Sequence, residues 1–299
     1  MNNKPFLIAL LGLSLSTFTA CEKEESIEEV DVFEMYSRPI TTESSQYISE
    51  VLSYRPGPGQ YTNKNLGNIE SSESIIGNKT GLVSLGAMGG SIIFTFDHTV
   101  INKENENDFI IYGNAFSGFS EPGIVQVSFD ENGNGIADDT WYEIAGSAHS
   151  NEETLHNYNV TYVNPNSDTE EVIWTDNNGG SGTIKAGTTN RYPLFIVEQE
   201  QVTFSGTRIF PTINSGGIIS TEPLEWGYVD NYNANYQANG NGNVFDIDWA
   251  VDQNLNPVSL QGVDFIKVYT GAQESLGFLG ELSTEIKGAK DLALQGTEE

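Results

Sequence analysis

The sequence predicts an all-β protein whose globular part is a single antiparallel β-sandwich or jelly-roll-like domain with few short helices. Three observations predict this fold class. Short runs rich in β-branched and aromatic residues recur along the chain, clusters of Gly, Asn, Asp and Ser separate these runs, and long helical patterns of Leu, Ala, Glu and Lys are absent. Because no shift in composition and no repeat of fixed period divides residues 51–299, we expect one domain there.

The predicted strands lie between clusters of turn-forming residues. A glycine-rich stretch leads into the first strand, and Asp/Asn/Gly clusters separate several of the others. The helix-like segments are residues 41–52 and 65–75. The strand candidates are residues 91–96, 109–113, 123–129, 141–145, 158–163, 172–175, 201–208, 244–250 and 265–270.

The N-terminal segment predicts export and lipidation. Lys4 precedes an apolar run over residues 6–15 that is too short to span a membrane, which is typical of a signal peptide over residues 1–20. The Phe-Thr-Ala sequence before Cys21 resembles a bacterial lipobox, with Phe18 in place of the usual aliphatic residue. Cys21 is the only cysteine, so the chain forms no internal disulfide, and we expect this residue to be acylated. The alternative is an ordinary secretory signal with a cysteine there by chance.

The segment after Cys21 indicates where the protein is located. Residues 22–25, Glu-Lys-Glu-Glu, resemble the short signal that directs some Gram-negative lipoproteins to the outer face of the outer membrane, although a solvated acidic linker has the same composition. Residues 21–50 are polar and poor in hydrophobic periodicity, so we expect a flexible tether there. The expected location is the outer membrane, with the domain lipid-anchored and exposed at the cell surface.

The charge of the chain argues against several kinds of partner. The formal net charge is −29, and removal of residues 1–20 takes away one charged residue, Lys4, which leaves −30. Such a surface repels phosphate backbones and acidic lipid headgroups, so we expect no nucleic-acid binding and no membrane contact apart from the lipid anchor. Divalent cations would offset the carboxylate repulsion, although solubility alone also explains an acidic surface.

A calcium-loop pattern lies in the Asp/Asn/Gly cluster after the third strand candidate. Side-chain oxygens at Asp130, Asn132 and Asn134, followed by Gly135, reproduce the spacing that wraps alternate side chains around one hard cation. Trp141 stands where an EF-hand would have a bidentate Glu, so this loop is not an EF-hand. A β-hairpin turn rich in Asn-Gly is the alternative and needs no ion. The further ligands of a calcium ion, our predicted cofactor, would come from Asp138, Asp139 or Glu143.

A second acidic cluster follows residue 245. Asp246, Asp248 and Asp252 would share one face of a strand, and carboxylates in that arrangement need a cation, a basic partner or water. Two acids across a cleft would also suit a glycosidase, but nothing in the sequence indicates which acid would have the raised pKa.

The sequence contains no motif that establishes catalysis. The three histidines, His98, His149 and His156, form no zinc-ligand spacing, and there is no G-x-S-x-G nucleophile elbow. We therefore expect hydrogen-bonded structural histidines and a protein that is not an enzyme. Glycan hydrolase or lyase activity is the open alternative.

Aromatic and amide residues in two predicted loops favour ligand binding. Aromatic rings suit stacking on ligand rings, and amides suit hydrogen bonds to polar edges. Burial in the sandwich is the alternative for Trp226 and Tyr228, whereas Tyr232 and Tyr236 lie among polar residues and are better surface candidates. The predicted ligand-binding residues are Asn114, Phe116, Phe119, Trp226, Tyr228, Asn231, Tyr232, Asn233 and Tyr236.

Seven short stretches carry a resemblance to a protein family. They are VSLG at 83–86 with the glycines at 89–90, FDH at 96–98, GNAF at 113–116, SEPG at 120–123, WYE at 141–143, FDIDWAVD at 245–252 and GVDFIKVYT at 262–270. From about residue 54 to 292 the chain resembles a group of predicted cell-surface lipoproteins that often accompany TonB-dependent receptors, including vitamin B12 uptake systems. The resemblance implies ligand capture at the surface and transfer to a transporter, and it brings no catalytic residue with it.

Three functions fit these observations. The first, which we favour, is a surface lipoprotein that captures cobalamin or a similarly bulky nutrient for a TonB-dependent outer-membrane receptor, with structural calcium. The second is calcium-dependent binding or degradation of carbohydrate, for which aromatic platforms would look the same. The third is a structural or adhesive surface protein in which calcium makes loops rigid. The ligand is not named by the sequence, because function resides in a site rather than in a fold.

Overall fold

The computed structural model describes residues 31–78, 80–167, 169–184, 199–216 and 219–294. Cys21 and residues 21–30 of the predicted tether lie outside the described residues. The predicted end of the tether at residue 50 is wrong, because the compact unit begins at Val32. Ile48 is buried in the core, and the Arg38 guanidinium lies 3.0 Å from the Asp264 carboxylate. The residues that precede β1 therefore belong to the domain.

The described secondary structure consists mostly of short strands. The helices are α1 (Val32–Tyr36), α2 (Ile69–Glu73) and two 3₁₀ helices, Ile247–Trp249 and Gly277–Leu279. Among the described residues, none of these helices has the length and apolar character needed to cross a membrane. The strands are β1 (Glu50–Arg55), β2 (Val83–Ser84), β3 (Ser91–Ile101), β4 (Phe109–Tyr112), β5 (Gly123–Ser128), β6 (Tyr142–Ile144), β7 (Leu155–Val163), β8 (Val172–Asp176), β9 (Ser181–Ile184), β10 (Gln201–Arg208), β11 (Ile213–Asn214), β12 (Ser220–Thr221), β13 (Gly242–Phe245), β14 (Ala250–Val251), β15 (Gly262–Thr270), β16 (Glu285–Ile286) and β17 (Gly288–Asp291).

An antiparallel six-stranded sheet lies at the centre of the fold, and we call it the central sheet. Its strand order is β1-β3-β15-β5-β6-β14. β15 pairs with β3 on one side and with β5 on the other, and only Lys267 among its residues is not fully buried. A strand with both faces covered shows a near-continuous apolar run rather than a strict alternation, which explains the sequence of β15.

Two smaller sheets cover the two faces of the central sheet. The three-stranded sheet β13-β4-β17 shares a core with one face, where Phe109 of β4 belongs to the same apolar cluster as Ile266 of β15. The four-stranded sheet β10-β7-β8-β9 shares a second core with the other face, where Tyr158 of β7 joins Tyr269 of β15. The predicted all-β antiparallel sandwich is confirmed, and the structure adds a third layer of strands to it.

The predicted strands agree with the structure better than the predicted helices do. The nine strand candidates overlap β3, β4, β5, β6, β7, β8, β10, β13 and β15. The candidate helix 65–75 contains α2, which begins after Asn68, whose side chain accepts the N–H of Ser71 at 2.8 Å. Residues 41–52 form a turn and the start of β1 rather than a helix, because β1 pairs with β3 and gains a sheet's hydrogen bonds.

The prediction that Asp246, Asp248 and Asp252 share one face of a strand is wrong. β13 ends at Phe245, and the Asp246 side chain accepts the N–H of Asp248 at 2.8 Å, which starts a 3₁₀ helix instead of continuing the strand. Asp252 lies in a separate turn, where its Oδ1 atom accepts the Asn256 N–H at 2.9 Å. The three side chains therefore do not share one strand face.

Candidate functional site

The two loops that were predicted to bind ligand lie side by side. The Oδ1 atom of Asp230 accepts the N–H groups of Asn114 at 2.9 Å and Ala115 at 2.7 Å. The Oγ atom of Ser120 accepts the N–H of Tyr232 at 2.9 Å. These bonds join residues that are far apart in the sequence. They bring the loops 113–120 and 224–236 together, and we call their outer side the loop surface.

Several of the predicted residues are accessible on the loop surface. The Phe116 ring is 57% exposed and its centroid lies 4.7 Å from that of Phe119. Trp226 is 40% exposed and contacts the Trp249 ring, with 4.8 Å between centroids. Asn114 is exposed as well. The remaining accessible candidates, Phe119, Tyr232 and Asn233, are partly exposed.

Three other predicted ligand residues are buried, and the surface assignment of Tyr236 is wrong. Tyr228 and Tyr236 have no exposed surface, because Tyr228 packs in the second core and Tyr236 lies under the loop. The Asn231 side chain is occupied with the backbone of Leu224, accepting its N–H and donating to its carbonyl, both at 2.8 Å. These residues shape the loop from inside, because buried polar groups are held by hydrogen bonds.

The predicted calcium loop is closed by its own side chains. Asp130 accepts the N–H of Asn134 through Oδ1 at 3.0 Å and the N–H of Gly135 through Oδ2 at 2.8 Å. The Oδ1 atom of Asn134 accepts the Ile136 N–H at 2.7 Å. Gly133 and Gly135 have φ angles of 68° and 72°, the left-handed conformation that glycine adopts at little cost. The loop backbone is thus wound tightly around the Asp130 carboxylate.

The polar side chains of this loop also face one another. Asn132 donates to Asp139 Oδ1 at 3.1 Å, and Asn134 donates to Asp138 Oδ1 at 3.3 Å. The Oδ2 atom of Asp139 is buried and accepts no hydrogen bond from the described part of the chain. A buried carboxylate oxygen without a partner is unusual, and carboxylate and amide oxygens are the ligands that Ca²⁺ takes. This donor set fits a calcium ion.

The predicted calcium loop is connected to the N-terminal part of the domain through Asp264. The Oδ2 atom of Asp264 accepts the N–H of Asp130 at 3.0 Å, and its Oδ1 atom accepts the Thr99 hydroxyl at 2.7 Å. The same Oδ1 atom lies 3.0 Å from the Arg38 guanidinium. The Asp264 side chain is fully buried, so its charge needs these partners.

Three carboxyl groups that sequence analysis did not identify lie close together: Asp230 and Glu285 are buried, and Glu121 is partly buried. Glu121, Asp230 and Glu285 each place an oxygen atom within 4.8 Å of the others. Burial and the charge of Asp230 raise the pKa of Glu121 to about 8, and burial raises the pKa of Asp230 to about 7. Burial and the charge of Glu121 raise the pKa of Glu285 well above its usual range. The cluster therefore retains protons near neutral pH, because three like charges at this separation repel one another.

A cleft of about 340 Å³ opens between the central sheet and the four-stranded sheet. Its floor is a row of three direct cross-strand neighbours, Lys267 on β15, Gln126 on β5 and Glu143 on β6. Trp141 and Leu255 contribute apolar surface to its lining. Polar lining also comes from Asn157, Asn159, Ser205, Thr207, Asp252 and Gln253.

The position of the cleft follows from a close approach of the two sheets. A Cβ atom at Gly206 would lie 2.7 Å from the Cε2 atom of Tyr269, so only glycine permits this contact. The Tyr269 hydroxyl accepts the N–H of Thr207 at 2.8 Å. Lys267 lies two residues before Tyr269 on the same face of β15, and its side chain is long and polar. The apolar core between the two sheets therefore ends at Lys267, where the cleft begins.

The Glu143 carboxylate on the cleft floor is held in a fixed position. His149 Nδ1 accepts the Gly146 N–H at 2.8 Å, so the ring proton is on Nε2, which donates to Glu143 at 2.9 Å. The Tyr269 hydroxyl donates to the other carboxylate oxygen at 2.6 Å. Burial raises the pKa of Glu143, but the hydrogen bonds and the His149 interaction outweigh burial and leave this pKa below its usual value. Burial lowers the pKa of Lys267, and the Glu143 charge offsets part of that shift.

The three histidines are hydrogen-bonded, as predicted. His98 lies between two carboxylates, 2.6 Å from Asp97 and 2.7 Å from Asp291. His156 Nε2 lies 3.0 Å from the carbonyl oxygen of His149. Each ring is therefore engaged in the structure of the domain.

No protein-family model matches this chain, and no curated protein sequence matches it. The loop surface, the calcium loop and the cleft are the features on which its function is inferred. Of these, the cleft was missed from the sequence, although Lys267 and Gln126 each stand between apolar residues within a strand.

Proposed function

We propose that this chain is a lipid-anchored protein of the outer cell surface that captures a bulky neutral nutrient, with cobalamin as the first ligand to test. The observation that carries the proposal is the loop surface, on which Phe116, Trp226, Tyr232 and Asn114 are all accessible. Rings that are held by a rigid scaffold stack on a ligand at small entropic cost, and amides bond to its polar edges. The partner would be a TonB-dependent receptor, as the family resemblance implies.

The charges of the loop surface support a neutral ligand. Residues 113–120 contain no charged side chain, and residues 224–236 contain two acidic ones, the exposed Glu225 and Asp230. Asp230 is fully buried and its carboxylate is occupied with backbone N–H groups. An anionic ligand would find no cationic partner in these two loops.

Calcium is the proposed cofactor, with a structural role. Asp130, Asn132, Asn134 and Asp138 would hold the ion, and Asp139 is the further candidate because of its buried Oδ2 atom. Glu143 is no longer a candidate, because its carboxylate is bonded to His149 and Tyr269 on the cleft floor. The ion would supply positive charge between carboxylates and hold the loop against the N-terminal part of the domain.

Calorimetric titration of the mature chain with cyanocobalamin tests the proposal. We expect measurable binding, and we expect Phe116→Ala or Trp226→Ala to weaken it about thirtyfold, the effect of losing an anchor worth about 2 kcal/mol. Trp141→Ala is the matched control, because this tryptophan lies in the cleft and not on the loop surface. The absence of corrinoid binding at high micromolar concentration by a folded protein would overturn the corrinoid assignment.

A further inference from the structure

The cleft between the central sheet and the four-stranded sheet is distinct from the loop surface. None of the residues that line it belongs to the loops 113–120 or 224–236. Its volume of about 340 Å³ lies at the lower end of the range of roughly 300–1,000 Å³ for small-molecule sites. This space suits a ligand of one or two rings, not a corrinoid.

The floor of the cleft presents donors and acceptors in one row. The Lys267 ammonium donates, the Gln126 amide donates and accepts, and the Glu143 carboxylate accepts. Adjacent strands in a sheet are about 4.8 Å apart, so the three polar groups follow one another at short, regular intervals. A hydroxyl group both donates and accepts, so a ring with several adjacent hydroxyls complements such a row.

Other residues of the lining extend the same chemistry. Asn157 and Asn159 on β7 supply amides, and Ser205 on β10 supplies a hydroxyl. Trp141 is half-buried and adds an aromatic surface, against which the apolar face of a sugar ring can pack. A pyranose has hydroxyl groups that hydrogen-bond to polar side chains and an apolar face that packs on an aromatic ring, so this lining suits it.

Preorganisation of the floor distinguishes the cleft from an incidental surface depression. The hydrogen bonds from His149 and Tyr269 fix both oxygens of Glu143. The Gln126 amide also donates to Oε2 at 3.5 Å, so Oε1, which accepts from His149, keeps a lone-pair site for a ligand hydroxyl. A site that is already ordered loses little conformational entropy on binding.

The charges of the cleft favour a neutral ligand. Glu143 and Asp252 are carboxylates in its lining, and an anion would also approach against the net charge of −30 of the mature chain. A cation would have to lie beside the Lys267 ammonium on the floor. A neutral ring meets neither penalty.

We infer that this cleft is a second binding site and that it takes a neutral, polyhydroxylated ring such as the pyranose of an oligosaccharide. Glu143, Gln126 and Lys267 bond its hydroxyls, and Trp141 packs against its apolar face. The site is independent of corrinoid capture at the loop surface. One protein would thereby hold a nutrient on one side and contact surface glycan on another.

Saturation-transfer NMR and calorimetry of the mature chain test the inference. The probes are neutral gluco-, galacto- and manno-tetraoses, with glucuronic acid and glucosamine as charged analogues. We expect at least one neutral tetraose to bind with a Kd below about 10 mM and the charged analogues to bind at least tenfold more weakly. Trp141→Ala is expected to weaken binding at least tenfold, and Lys267→Gln to weaken it too. Phe278→Ala, at an exposed aromatic residue outside both the cleft and the loop surface, is expected to leave it unchanged.

Three results would overturn the inference. They are no binding of any neutral tetraose at about 10 mM by a protein with an unchanged melting curve, unchanged binding in both Trp141→Ala and Lys267→Gln, and preferential binding of a charged analogue. Corrinoid titration of the same samples separates this site from the loop surface. Corrinoid binding that persists without sugar binding would reject the cleft alone, and sugar binding without corrinoid binding would reject the loop surface alone.

Discussion

The ring of Tyr36 lies so close to Gly133 that a Cβ atom added at this glycine would overlap it. Tyr36 ends helix α1, and Gly133 is in the predicted calcium loop. Phe33 of the same helix contacts Phe129, which precedes the loop, with ring centroids 5.1 Å apart. The segment that was expected to be a tether therefore packs against the calcium loop.

This contact predicts different effects for two glycines of one loop. Gly133→Ala adds both left-handed strain and overlap with Tyr36, whereas Gly135→Ala adds strain alone, because no other atom lies within 4 Å of the point where its Cβ would be. We expect Gly133→Ala to lower the free energy of unfolding by about 1 kcal/mol or more beyond Gly135→Ala, as measured by urea denaturation. In a Tyr36→Ala background the two variants should become equal. A persistent difference there would show that the ring is not the cause.

Calcium should stabilise the domain through the Asp130 loop. An ion that binds only the folded state adds about 2.7 kcal/mol at a hundredfold excess over its Kd. The melting temperature should therefore be higher in millimolar calcium than in EDTA, and Asp138→Asn should reduce this difference. Glu153→Gln, at an exposed acidic residue outside the loop, is the matched control and should preserve it. Identical melting curves for the unmodified chain in EDTA and in calcium would remove the site.

If Cys21 carries the proposed lipid anchor, it is the first residue of the mature chain. Cys21→Ser should release the protein from the membrane fraction, because acyl chains supply the anchoring and we expect no other membrane contact. Fractionation followed by mass spectrometry of the N-terminal peptide checks this outcome. A variant that keeps its signal segment and remains membrane-bound would contradict the proposal of a lipid anchor.

The carboxyl cluster of Glu121, Asp230 and Glu285 predicts a pH-dependent stability. Their folded-state pKa values are raised, so the unfolded chain releases protons at lower pH than the folded one. Stability from these groups is fully present below their unfolded pKa values of about 4 and is lost as the pH rises toward about 8. Over this range the free energy of unfolding falls by about 1.4 kcal/mol per pH unit for each proton that the chain releases when it unfolds.

Glu285→Gln should reduce this loss, because an amide keeps the shape of the carboxyl group and cannot ionise. We expect the variant to be more stable than the unmodified chain at pH 8, by about 1 kcal/mol or more, and to lose that advantage toward pH 4. Urea denaturation at pH values from 4 to 8 measures the free energy of unfolding of Glu285→Gln and of the unmodified chain. Glu153→Gln, at an exposed site, is the control. Equal pH slopes for Glu285→Gln and the unmodified chain would contradict proton retention in the cluster.

The loop candidates show how far local sequence determines a site. Phe116 and Trp226 are accessible as the pattern suggested, whereas Tyr236 is fully buried. Polar neighbours in sequence do not expose a ring, because the loop folds over it. The left-handed backbone at Asp230, with a φ angle of 56°, and the bonds of its carboxylate place both loops, and no local pattern signals them.

The sequence by itself determined the class of the fold, the strand segments and the turn at residues 130–139, because strand propensity and turn chemistry act over a few neighbouring residues. Tertiary structure decided the three layers, the carboxyl cluster and the cleft. Lys267, Gln126 and Glu143 become neighbours only through the pairing of β15, β5 and β6. Such pairing depends on contacts between distant segments, and burial then sets the protonation of groups such as Glu121, which no local sequence pattern encodes.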